Sequence, residues 1–158
     1  MERATHAIYR FWRISTYKQR YGKQLKVGSI YFRANFRINI STKEASVEIG
    51  DGCFFNNDCS LNAHQRIRIG KNCLFGENVR LYDHNHCYKD LNRHIAEQGY
   101  TCADIIIEDD CWIGSNVVIL KGVHIGRHSV IGAGVIVAKD VPENTVLCCK
   151  QEIIYTCL

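Results

Sequence analysis

The sequence predicts an all-β fold: a prism of stacked triangular coils built from parallel strands, with a short N-terminal helix and one long excursion loop at about residues 82–104. Three observations predict it. From residue 47 onward an aliphatic or aromatic residue returns every six positions: Ile49, Phe55 and Leu61, then Ile69, Phe75 and Leu81, then Ile107, Ile113 and Ile119, then Ile125, Ile131 and Val137. Two positions before each anchor stands a second apolar or small residue: Val47, Cys53, Cys59, Ile67, Cys73, Val79, Ile105, Cys111, Val117, Val123, Ser129 and Val135. Glycine often follows an anchor, as at Gly50, Gly70, Gly76, Gly114, Gly126 and Gly132. Neither a 3.6-residue helix nor a long alternating strand produces this rhythm, but a short strand plus a turn does. Three such units close a coil of about 18 residues, and coils stack about 4.8 Å apart through parallel strand hydrogen bonds. Both residue sets then point inward, and glycine relieves crowding or admits positive φ at the corners.

The elements follow in chain order. Residues 1–24 carry Arg3, Arg10, Arg13, Lys18, Arg20 and Lys23 against Glu2 alone. The rest of the chain is close to neutral, so the formal charge of +4 belongs to this segment. It is not a nucleic-acid-binding surface of the main domain. Ile8, Phe11, Trp12 and Ile14, with Tyr9 and Tyr17, form an apolar and aromatic stripe on a helix predicted over residues 2–20. Two uses fit it: a cap over the open end of the prism, or a peripheral contact with a membrane surface. Residues 25–46 predict an imperfect first coil. The main domain is therefore placed at 25–146, with a tail at 147–158.

Two breaks interrupt the rhythm. Leu61 and Ile69 are eight apart, so two extra residues bulge out near Asn62 to Gln65. Leu81 and Ile107 are twenty-six apart, which leaves an excursion that contains Tyr82, Asp83, His84, Asn85 and His86. Long insertions into a repeat array usually serve function.

Composition narrows the class further. With 46% hydrophobic and 23% charged residues, the chain can build one core. No apolar run is long enough to span a bilayer. The N-terminus shows no apolar signal-peptide stretch, so a cytoplasmic location is expected, at the inner membrane surface if the basic segment makes that contact. Nine cysteines are present, an odd number, and no C-x-x-C pair suggests zinc. Cys53, Cys59, Cys73 and Cys111 are expected to pack as small apolar residues.

The C-terminal half is the most specific stretch. It reads Cys111-Trp112-Ile113-Gly114-Ser115, then Ile131-Gly132-Ala133-Gly134-Val135-Ile136-Val137-Ala138-Lys139-Asp140-Val141-Pro142. These segments resemble the hexapeptide-repeat acetyltransferases, in the branch of galactoside, maltose, and capsule or lipopolysaccharide O-acetyltransferases. The resemblance covers roughly residues 47–146. It implies a left-handed parallel β-helix, a hand that periodicity alone does not fix. It also implies acetyl-CoA as acyl donor, no metal, a saccharide hydroxyl as acceptor, and a homotrimer with sites between prisms.

Acetyl transfer to a hydroxyl needs a base, donors for the developing oxyanion, and aligned substrates. The resemblance puts the base on the excursion. His86, five residues past Leu81, is the first candidate and His84 the rival. Asp83 is a candidate to fix the tautomer or to meet the acceptor. Asn56, Asp58 and Trp112 are further acceptor-side candidates. Ser115 matches a position near the thioester. Ala133 and Gly134 match positions along the pantetheine arm, and Ala138 and Lys139 positions at the distal cofactor. The match weakens after Val146, where a proline-containing turn of many relatives is missing; Lys150 is the candidate to replace its basic contacts. Two alternatives stay open: a zinc-dependent carbonic-anhydrase-like protein, whose three histidine ligands are numerically available, and an amino-sugar N-acetyltransferase.

Overall fold

The computed structural model describes residues 2–150, and helix side chains from Trp12 onward. The readings that rest on the side chains of Ile8, Tyr9 and Phe11, and on residues 151–158, lie outside the described residues. The main body is a parallel β-solenoid of five complete coils and the start of a sixth. Its first face holds Leu25–Val27, Ser46–Ile49, Arg66–Ile69, Ile105–Ile107 and His124–Ile125. The second holds Tyr31–Phe32, Phe54–Phe55, Leu74–Phe75, Trp112–Ile113, Val130–Ile131 and Val146–Leu147. The third holds Arg37–Ile40, Ser60–Ala63, Arg80–Tyr82, Val118–Leu120 and Ile136–Val137.

Every anchor, and every residue two before it, is buried. Like residues stack in register, as Leu61 pairs with Leu81 and then Leu81 with Ile119. Phe36, Phe55 and Phe75 continue the stack as rings, at 4.6 and 4.4 Å between centroids. The four core thiols fill the corners and give their hydrogens to carbonyls of the next coil, as Cys59 does to Gly76 O at 3.1 Å. Burial pushes the Cys59 thiol up to about 11, the state of an inert packing residue.

The glycines after the anchors relieve crowding. A Cβ at Gly114 would lie 2.7 Å from the Ala133 amide nitrogen, which belongs to the next coil. Positive φ falls mostly on the following Asn or Asp instead: Asn35, Asp58, Asn78 and Asn116 all lie near +60°. Short polar side chains tolerate that conformation.

Helix α1 (Glu2–Tyr21) ends at the first coil. Tyr21 is buried and gives its hydroxyl hydrogen to Ile38 O, while Tyr17 and Arg13 both donate to Phe36 O. The helix end thus covers the open bottom of the prism, as the capping use requires. Trp12 faces solvent. Among the described residues no helix is long and apolar enough to cross a membrane. The excursion is ordered by an antiparallel hairpin in which His84–His86 pairs with Tyr100–Cys102.

Candidate functional site

The faces meet at three columns of turns, and two columns carry the candidates. At the third-to-first corner, Ser60–Ala63 ends in the two-residue bulge, His64 and Gln65. The bulge forms because Asp83, one coil on, accepts both of its amides: His64 N to Oδ1 and Gln65 N to Oδ2, each at 2.8 Å. Asp83 is fully buried, and His84 Nδ1 lies 3.0 Å from its Oδ1. A carboxylate that already accepts two amides takes the ring as a donor, so Nδ1 carries the hydrogen. Nε2 is left as an acceptor, the tautomer that proton abstraction needs. With no exposed surface, Asp83 orients His84 and offers an acceptor nothing.

The hairpin completes this corner. Its register sets His86 opposite Tyr100 and His84 opposite Cys102, so these side chains share one face. The Tyr100 ring lies 4.4 Å from His64, 5.4 Å from His84 and 4.5 Å from His86. His64 stacks on His84 at 3.7 Å. Burial, and then the neighbouring His84, lower the His64 pKa, which favours a neutral ring against its partner. His84 is half-buried, whereas His86 is exposed. A groove of about 550 Å³ opens beside His64 and His84, bounded also by Tyr21, Asn39, Asn62 and Tyr82. Among the described residues no three His, Cys, Asp or Glu side chains converge as metal ligands. His64 and His84 lie face to face instead.

The second-to-third corner holds Asn56, Asp58, Ser115, Ala133 and Gly134. Asn56 Oδ1 accepts the Asn57 amide at 2.9 Å. Asp58 takes the left-handed turn position and accepts from Asn35 Nδ2, so the turn itself accounts for it. Ser115 Oγ accepts the Glu77 amide at 3.1 Å. Ala133 and Gly134 are exposed and add no bulk above it, leaving a flat strip along the column. Trp112 stands on the second face, exposed, between Leu74 and Val130 in register. Ala138 and Lys139 lie at the third-to-first corner on the last complete coil, and Lys150 ends the described chain; all three are exposed.

Within one chain, the histidines and the Ser115 column therefore sit at opposite edges of the third face. A four-residue strand spans on the order of 13 Å. The sequence reading did not single out His64, Tyr82 or Tyr100 for the site. The eight-residue spacing marked the bulge that carries His64, and Tyr82 was visible in the excursion. Nothing in the spacing marked Tyr100, whose place depends on the hairpin register.

Comparison with known proteins adds independent findings. A family model described as the hexapeptide repeat of succinyl-transferase matches residues 66–79 and 104–139. The chain is 36% identical to the galactoside O-acetyltransferase of Lactococcus lactis over 102 residues, which is 64% of this chain and 48% of that one. The chain spans about half the length of such curated relatives. A hexapeptide-repeat acetyltransferase of Vibrio cholerae superposes with a TM-score of 0.62 at 34% identity, covering 76% of this chain and 68% of that one. Its acetyl-CoA complex gives 0.65 at 31% identity, covering 80% and 67%. A maltose O-acetyltransferase of Clostridium difficile 630 gives 0.68 at 29% identity, covering 82% and 67%.

Proposed function

Because the chain belongs to the hexapeptide-repeat acetyltransferase family, in the branch of the galactoside and maltose O-acetyltransferases, we propose that it transfers acetyl from acetyl-CoA to a sugar hydroxyl. The observation that carries this reading is the hairpin face, where His84 lines a polar groove, buried Asp83 fixes its imidazole, and His86 stands exposed two residues on against Tyr100. In the proposed ternary complex the acceptor hydroxyl attacks the thioester carbonyl while an imidazole takes its proton. The carbon–sulfur bond then breaks, and the imidazolium returns the proton to the departing sulfur. The products are the O-acetyl sugar and free CoA thiol. His86 is the proposed base: it is exposed, and Tyr100 flanks its ring. His84 is the second reading, favoured by its bond to Asp83. Ser115 and the flat Ala133–Gly134 strip suit a pantetheine arm, and Lys139 suits a phosphate.

The two columns face different directions in one chain, which supports a homotrimer in which neighbouring copies bring them together. The outer side of the second face supports this too. Tyr31, Phe54, Leu74, Trp112, Val130 and Val146 stack there in register, an apolar stripe that a second copy would cover. A cytoplasmic setting, where acetyl-CoA is available, completes the proposal.

The test is acetyl-CoA turnover with a saccharide panel. His86→Ala is expected to lower kcat by about 10²–10⁴-fold. If His84→Ala produces that loss and His86→Ala does not, the base is reassigned. If neither lowers turnover, the histidine mechanism fails.

A further inference from the structure

The groove beside the hairpin has a charge pattern that a neutral galactoside does not use. None of the five strands of the third face contains an Asp or Glu. Two arginines point out from the edge away from the groove, at the strand starts: Arg37 on the first coil and Arg80 on the third, both exposed. Arg80 is braced by Asn78 Oδ1, at 3.2 Å from Nε and 2.9 Å from Nη2. At the hairpin edge Arg20, from the last turn of α1, lines the groove itself. Its guanidinium sits over the Tyr21 ring, 5.3 Å from the centroid. None of the groove-lining residues is a carboxylate, so Arg20 faces amides, hydroxyls and imidazoles. Arg20 belongs to the basic segment 1–24, whereas Arg37 and Arg80 lie in the nearly charge-balanced remainder of the chain.

The rest of the groove suits a sugar ring. Asn39 Nδ2 donates to Asn62 Oδ1 at 2.8 Å, and Asn62 Nδ2 donates to Leu81 O at 3.2 Å, so the amides are held in one orientation. Tyr82 offers a ring and a hydroxyl at the end nearest His84, 6.3 Å between ring centroids. Fixed amides with an aromatic ring recognise hydroxyl patterns and a sugar's apolar face. A guanidinium among them recognises carboxylate or phosphate oxygens through charge-assisted, often bidentate bonds.

We propose that the acceptor is an anionic saccharide, and that Arg20 selects it by binding its carboxylate or phosphate while the sugar ring lies on Asn39, Asn62 and Tyr82. This rests on the acetyl-transfer reading only for the fate of the bound sugar; the binding preference stands by itself. A negative group at Arg20 places the far side of the same sugar toward His84, at the other end of the groove.

The experiment is calorimetric titration of the full chain with methyl galactoside, methyl glucuronide and galactose 6-phosphate, followed by turnover assays with the same three probes. At least one anionic probe is expected to bind about tenfold more tightly than the neutral one, an advantage that shrinks as salt rises. The glucuronide arm and the phosphate arm tell which anion is preferred. Arg20→Gln is expected to bring the anionic-to-neutral affinity ratio close to one. Arg20→Lys is expected to keep part of it, with an unchanged melting curve as the control for folding. Equal affinity for all three probes, no binding of either anion, or a ratio untouched by Arg20→Gln overturns the proposal. Selective binding without any acetyl transfer supports the subsite and counts instead against the catalytic reading.

Discussion

Asp83 and His64 show how two side chains can set the state of a third. Asp83 holds His84 by Nδ1 and ties the bulge down through the His64 and Gln65 amides. His64 covers one face of the His84 ring. Because burial and the neighbouring imidazole lower its pKa, the folded chain binds the His64 proton at lower pH than the unfolded chain does. The unfolded chain therefore holds more protons in the window just below about pH 6.5, and stability rises with pH through it. The contribution is complete above that window and is lost as the pH falls through the lowered pKa. The midpoint of urea unfolding should thus drop between about pH 7.5 and pH 5.5, and drop less in His64→Gln. Parallel pH profiles for the two proteins would remove this account of the stack.

At the scale of elements, the hairpin and the corner turns do different work. The hairpin carries Tyr100 across to three imidazoles that belong to two coils. Tyr100→Ala should loosen them and lower kcat about tenfold, while Tyr100→Phe, which keeps the ring, should stay near wild type. Steady-state kinetics on both variants checks this; equal losses would point to the hydroxyl instead. The turns set how closely coils stack. Gly114→Ala forces a methyl against the backbone of the next coil, so a loss of about 1–3 kcal/mol in denaturant unfolding is expected. An unchanged unfolding midpoint would show that the coils part easily there.

At the scale of the whole molecule, the described residues form a thin prism whose lower end α1 closes and whose second face carries an exposed apolar stripe. Tyr17 and Tyr21 of α1 close the bottom over Phe36 and Ile38. The stripe on the second face ascends through all six strands of that sheet. Leu74→Glu places a charge in the middle of the stripe, and is expected to convert the proposed trimer to monomer in sedimentation runs and to abolish turnover together with it. A monomeric wild-type chain that turns over fully would show that one prism holds a complete site.

Periodicity by itself determines the body of this protein. Six-residue spacing with a second inward position is a direct imprint of burial, because each coil repeats the same geometric demand on its neighbours. Anchors, paired inward residues, thiol packing, the imperfect first coil and both insertions were therefore legible as sequence. The excursion yielded its histidines but not their relations. Strand pairing within it is set by contacts remote along the chain, so neither the Tyr100 register nor the burial of Asp83 has a local signature. The same holds for Arg20, which is one of six basic residues in its segment until the helix packs beneath the first coil and sets it into a groove. Repetition writes a core into the sequence; a site made from single residues of separate coils exists only once those coils are stacked.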